Sequence, residues 1–211
     1  MEARLLSAAL LMLASKPVND ISVNDLIDHE QVSRGTFYKY FDSLSQVFSQ
    51  LSAKLEDELA PFADDFIHRI PDGSVRVATG TRLILHFGSR MPIFGKVMLQ
   101  SGWPTERSAG VFLKKNLDRD IRLAMTQGSF SEMPLSVAFN LIIGPMLGGL
   151  QTMLIEDCAT DYPEQITQRI LLSLGMTRES ALHAVAFPIP EMTLPPVGLI
   201  GDILKLSAPP P

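Results

Sequence analysis

Residues 22–40 read SVNDLIDHEQVSRGTFYKY, and this stretch decides how the chain is organised. Ser22 suits a helix N-cap, since its hydroxyl accepts from a free backbone N–H of the first turn. Asp25 follows three residues later, the spacing of a helix start. Val23, Leu26 and Ile27 then share one side at spacings of three and four. Ser33 offers a second N-cap, and Phe37 and Phe41 repeat at four on the helix after it. Glu30 and Gln31 sit in the short turn between. Two helices joined this way make a helix-turn-helix, whose second helix is shaped to enter a DNA major groove.

The outward side of that second helix is rich in donors. Ser33, Arg34, Thr36, Tyr38, Lys39 and Tyr40 crowd into about one and a half turns. Arg34 suits a bidentate grip on a guanine edge or a phosphate. Lys39 is a point charge for phosphate, and Tyr38 and Tyr40 can donate to phosphate oxygens while their rings pack. Gly35 costs a helix roughly 1 kcal/mol against Ala, and its bare Cα admits a close backbone approach. The bland alternative is a solvated helix face over a buried aromatic pair.

Three runs together carry a resemblance. They are Leu5-Leu6-Ser7-Ala8-Ala9 with Leu13, then Ile21-Ser22-Val23-Asn24-Asp25-Leu26, then Val32 to Phe41. Over roughly the first fifty residues the chain resembles the tetracycline-repressor (TetR) family of bacterial transcriptional regulators. The resemblance implies an all-α fold: an N-terminal three-helix helix-turn-helix head on a larger helical body that binds a ligand and dimerises. It implies that Ser33, Arg34, Gly35, Thr36, Tyr38, Lys39 and Tyr40, with Ser22 at the start of the first helix, face double-stranded DNA, while Phe37 and Phe41 face the head's core. It also implies a homodimer, a small-molecule effector and a bacterial cytoplasmic location. Three positions depart from the family pattern. Gln31 stands where the turn usually has Gly, Ile27 where Ala is usual, and Leu44 where a Lys commonly touches phosphate.

Composition agrees with a well-cored globular chain: 211 residues, 46% hydrophobic and 19% charged. The lone Cys158 excludes an internal disulfide framework and suits a reducing compartment. No basic stretch and cleavage site open the sequence, so no signal peptide is expected. The net charge of −5 is the unusual feature. Between Met1 and Gln50 the bases are Arg4, Lys16, Arg34 and Lys39, against Glu2, Asp20, Asp25, Asp28, Glu30 and Asp42. Non-specific DNA affinity comes almost wholly from phosphate neutralisation, so this head should hold random DNA poorly. Family members often carry a basic arm before the first helix, whereas here the helix begins almost at Met1.

Three regions are expected: the head over 1–47, a ligand-binding and dimerisation body over 48–187, and a Pro-rich tail over 188–211. Helices are expected over 2–15, 43–59, 60–70, 75–89, 93–100, 106–127, 133–156, 164–174 and 178–186. Lys16-Pro17 ends the first, and Pro61 either kinks the helix that begins at 43 or opens a new turn. The stretch 137–155 is almost wholly apolar, which raises a membrane span of ~20 residues. Asn140, Pro145 and Gln151 interrupt it, so a helix buried on most sides is the reading preferred. Its Gly144, Leu147, Gly148 and Gln151, with Ile166, Ile170 and Leu174 of the next helix, are the expected dimer interface. Met98, Trp103, Phe112, Phe139 and Ile143, with the polar His86, Arg90, Asn116 and Asn140, are candidates to line an effector cavity, although any one of them could be ordinary core. Asn140 stands out because a lone amide in so apolar a helix needs a partner. Val197 to Leu206 is an apolar piece inside the tail, expected as an arm packing over the body or over its partner, or as a disordered end.

The four histidines lack metal-ligand spacing, and no nucleophile motif or phosphate-cradling loop is present. No metal, cofactor or catalysis is therefore expected. The sequence points to a DNA-binding regulator, most simply a repressor released by a small apolar effector. The alternative is a helical small-molecule- or partner-binding protein with weakened DNA affinity.

Overall fold

The structure, a computed structural model, describes residues 1–100, 111–189 and 197–207. Among them every regular element is helical. In order these are α1 (Glu2–Ser15), a 3-10 turn (Val18–Asp20), α2 (Val23–Glu30), α3 (Arg34–Phe37), α4 (Leu44–Arg69), α5 (Gly73–Arg90), α6 (Pro92–Gln100), α7 (Val111–Thr126), α8 (Leu135–Ile155), α9 (Tyr162–Ser173), α10 (Arg178–Val185) and α11 (Gly198–Ser207). The described residues gather into two compact units. One is drawn from 1–59, 91–112 and 194–211, the other from 60–90 and 113–193.

In the first unit, α1 buries Leu5, Leu6, Ala9 and Leu13 and lies against α2. Leu26 of α2 closes that core, with Phe37 and Phe41 behind α3, their ring centroids 5.9 Å apart. Fully burying an aromatic ring contributes about 1.5–3 kcal/mol, so this pair anchors α3. Lys16 is extended where α1 stops, as Pro17 requires. α6 and α11 both lie against α1. Pro61, expected either to kink the helix or to open a new turn, opens none: α4 runs through it to Arg69 as one helix. A proline removes one donor and crowds one carbonyl, a local cost that a helix of 26 residues absorbs.

The second unit contains α5, most of α7, α8, α9 and α10, with α5 against α8, α9 and α10. Two cations stitch it, a half-buried Arg76 and a buried Arg82. Arg76 donates to the carbonyls of Ile70 (2.6 Å) and His68 (2.8 Å) and pairs with Asp120 at 3.3 Å. Arg82 donates from Nε to Glu164 Oε1 at 3.0 Å and from Nη1 to the Phe187 carbonyl at 2.7 Å. Each has its partners, so the buried charge of Arg82 is compensated and the half-buried one of Arg76 is held.

Helix α8 is the one among the described residues long and apolar enough to cross a membrane. Within its unit it turns Ala138, Phe139, Ile142, Ile143, Met146, Gly149 and Leu150 inward against α5 and α9. α7 covers Val111–Thr126, so residues 106–110 of the helix expected there lie outside the described residues. The apolar piece of the tail is a helix, α11, and not a loose end.

Candidate nucleic-acid interface

Helix α2 starts where the sequence places it. Ser22 Oγ accepts from the Asp25 N–H at 3.3 Å, and the Asp25 carboxylate accepts from the Ser22 N–H at 2.7 Å, a reciprocal capping box. Lys16 Nζ adds an ion pair to Asp25 at 2.6 Å. The Lys16 ammonium first, then the hydroxyl and N–H of Ser22, hold the Asp25 carboxyl well below the usual carboxylate range. Ser22 is thus exposed but occupied in the cap.

The turn is made by Gln31 at φ 52°, ψ 45°, in the left-handed region. It is the one non-glycine with positive φ among the described residues. Gln31 thus stands where the family pattern has Gly, and the backbone there is glycine-like all the same.

Helix α3 is shorter than a full recognition helix, Arg34–Phe37, with helical bonds continuing to Phe41. Ser33 caps it, its Oγ accepting from the Thr36 N–H at 3.0 Å and bonding Thr36 Oγ1 at 2.8 Å. Phe37 faces inward with no exposure, while Ser33, Arg34, Gly35, Tyr38, Lys39 and Tyr40 all face solvent and Thr36 is half-buried. Tyr38 stands edge-on to Phe37, centroids 5.3 Å apart, which braces its ring and leaves its hydroxyl outward. The expected residues therefore form one outward surface.

Sequence reasoning missed Asn24. Its Oδ1 accepts from Arg34 Nη2 at 2.9 Å, reaching from α2 to α3. The available signal was an outward amide on the first helix, ten residues before the arginine. It also missed how the head's other cations are spent. Arg4 pairs with Glu30 at 2.8 Å and Lys16 with Asp25. Arg34 and Lys39 have no carboxylate partner among the described residues.

The remaining site candidates fall as follows. His86 Nε2 lies 3.0 Å from Glu164 Oε1. Burial pushes the Glu164 carboxyl up, but the hydrogen bonds from His86 and then Arg82 outweigh it and hold it below its ordinary value. Arg90 is exposed at the end of α5, and Asn116 accepts from Arg119 at 3.4 Å. Phe139 is buried under Lys114, whose Nζ lies 5.6 Å from the ring centroid, and Ile143 is buried. Met98 belongs to the first unit, where its sulfur accepts from Ser52 Oγ at 3.6 Å. Trp103 and the side chain of Phe112 lie outside the described residues. Asn140, read as a buried amide, is exposed on α8. On the expected dimer surface, Gln151 and Gly148 are exposed, and Gly144 and Leu147 half-buried. Ile166 fills the space beside Gly149. Ile170 and Leu174 are buried within the chain itself, where α5, α8 and α10 lie against α9.

No family model matches the chain, and no curated protein matches it. Solved structures do. RolR in complex with the ligand resorcinol superposes with a TM-score of 0.74 at 20% identity, covering 91% of this chain and 96% of the other. A TetR-family regulator from Syntrophomonas wolfei gives 0.59 at 16% identity, covering 89% and 96%. The fatty acid degradation regulator FadR from Bacillus halodurans gives 0.59 at 16%, covering 82% and 94%. The chain has the TetR-family fold. In that TetR-type frame, the outward surface of α3 is the one the sequence resemblance assigns to DNA. At these identities the likeness carries the fold, and the residues must carry the function.

Proposed function

We propose that this chain is a ligand-responsive transcriptional regulator that binds operator DNA as a homodimer and is released by a small apolar effector. One observation supports this most: the buried Phe37–Phe41 pair turns the polar groups of Arg34, Tyr38, Lys39 and Tyr40 together towards solvent. A merely solvated helix needs no such clustering of base- and phosphate-matching donors. Resorcinol bound to RolR, a fold relative, supports a small ligand here as well. In this reading the effector sits in the second unit near His86, Asn116 and Phe139, and it favours a conformation whose two recognition helices miss successive major grooves. The partner-facing surface is the exposed side of α8, with Asn140, Gly144, Leu147, Gly148 and Gln151. The protein performs no chemistry on its ligand and works in a bacterial cytoplasm. A repressor is the simplest form of the switch.

The alternative, a helical binding protein with weakened DNA affinity, is favoured by the internal pairing of Arg4 and Lys16. Gel-shift titration against the DNA upstream of its own coding sequence, at two salt concentrations, separates the two. Saturable retention supports the regulator. No retardation of any duplex at low salt leaves the alternative.

A further inference from the structure

The helix α11 has the spacing of a docked element, with Ile200 and Ile203 on one side at 2% and 1% exposure. It lies against both α1 of the head and α6. Its N-terminal N–H groups are satisfied from far away in sequence. Glu58 of α4 accepts from the Leu199 N–H at 3.0 Å through Oε1 and from the Ile200 N–H at 2.9 Å through Oε2. A carboxylate there also faces the positive end of the helix dipole. The backbone is shaped around it. Gly198 has φ +68°, and a Cβ at that position would stand 2.7 Å from the Glu58 carboxyl carbon. Glycine takes that left-handed conformation without strain, and a side chain there would push the Glu58 carboxylate off the N–H groups it holds. On the other side, Lys96 of α6 donates to the Leu13 carbonyl at the end of α1 over 2.8 Å. So α1 is held to α6 directly by Lys96, bonded to a carbonyl of the last turn of α1, and again by α11, which lies on both helices.

We infer that α11 is a regulatory strap. It fastens α1 to α6 through Ile200 and Ile203, is latched at its start by Glu58, and pre-organises the head for DNA. The last clause rests on the regulator reading; the fastening does not. A head freed from the strap must be ordered again on binding, and that cost appears as weaker affinity.

Hydrogen–deuterium exchange on the full chain and two variants tests the fastening. In Ile200→Asp/Ile203→Asp, and more mildly in Glu58→Ala, amides of α11 and of the last turn of α1 should exchange at least tenfold faster. Those of α9 should not change, which also shows that each variant is folded. Gel-shift titration of the same proteins tests the regulation. It uses the upstream duplex, or a duplex selected from a random pool by the parental chain. The double variant should bind at least fivefold more weakly. Unchanged exchange in α11 overturns the strap. Faster exchange with affinity within twofold reduces α11 to packing and overturns its regulatory role. A parental chain that retains no duplex removes the regulator reading, and the regulatory role with it, while exchange still decides whether α11 is fastened.

Discussion

The guanidinium of Arg34 is held by Asn24 across the turn, Nη2 to Oδ1 at 2.9 Å, so the base-reading candidate on α3 is aimed by a residue of α2. Both side chains are exposed, so the bond itself adds little to stability and its use lies in orientation. Arg34→Ala should cut specific DNA retention more than tenfold, about 1.4 kcal/mol or more, with an unchanged circular dichroism spectrum. Tyr38→Ala should do the same. Asn24→Ala should cost only a few-fold, and mainly in discrimination between operator and scrambled duplex. Equal retention by Arg34→Ala and the parent would show that α3 does not read DNA.

Salt dependence follows from where the head's charges go. With Arg4 and Lys16 committed to Glu30 and Asp25, the proposed DNA surface has Arg34 and Lys39 left to meet phosphate in each copy of the chain. Each neutralised phosphate contributes a log–log slope of about −0.9, so a dimer with four such contacts should show about −4. Lys39→Gln should lessen that slope by about 2 units, since each dimer loses two contacts. Titrations between low and moderate salt measure it. A slope near −8 would mean that cations outside this surface reach the backbone.

Gln31 is the strained point of the turn. A side chain in the left-handed region costs about 1 kcal/mol or slightly more. Glycine removes that strain but returns some freedom to the unfolded chain, an offset of about 0.4–1 kcal/mol. Gln31→Gly should therefore stabilise the protein modestly, by up to about 0.6 kcal/mol. Urea denaturation should show a higher midpoint at constant m-value. A lower midpoint would mean that Gln31 makes a compensating contact.

Much of this molecule is legible in its sequence where one residue type has one physical use. Ser22, Ser33 and Thr177 cap helices as their hydroxyls suggest, and Lys16-Pro17 stops α1. Phe37 and Phe41 go inward because their spacing leaves them no other side. Legibility ends where tertiary neighbours decide. Periodicity marks Ile170 and Leu174 as one apolar side of α9 but cannot tell whether α5, α8 and α10 or a second chain covers it. An amide such as Asn140 reads as buried within an apolar run, yet a helix has a side for each residue, and this one points out. Glu58 reaches α11 across about 140 positions of chain, a distance no local pattern encodes.

Acid should loosen α2 through Asp25. Its carboxyl is lowered in the folded state by Lys16 and Ser22, so the stabilisation is fully present above the unfolded value of about 3.9. It is lost as pH falls from there through the folded value. Asp25→Asn should destabilise the chain by a constant amount between pH 5 and 7, about two pH units in which the group stays ionised either way. Below about pH 3.9 the difference between variant and parent should shrink. Chemical denaturation across pH reads the gap. A gap that widens on acidification would show that the carboxyl is raised, not lowered.

Gly35 separates stability from binding. It lies exposed in α3, and a Cβ built on it would meet only the Ser33 hydroxyl, at an ordinary 3.8 Å. Nothing within the protein therefore demands glycine here. Helix propensity alone would make Gly35→Ala more stable by up to about 1 kcal/mol. Yet the position lies between Arg34 and Thr36 on the outward surface, where an added methyl stands between the α3 backbone and anything docked on it. If duplex DNA presses against that backbone, the same substitution should weaken retention by tenfold or more while the melting temperature rises. The two measurements move in opposite directions only when an outside surface fills the space that the methyl takes. A variant that is both more stable and equally retentive would place the DNA away from Gly35, and one that is less stable would mean that α3 needs the glycine for its own fold.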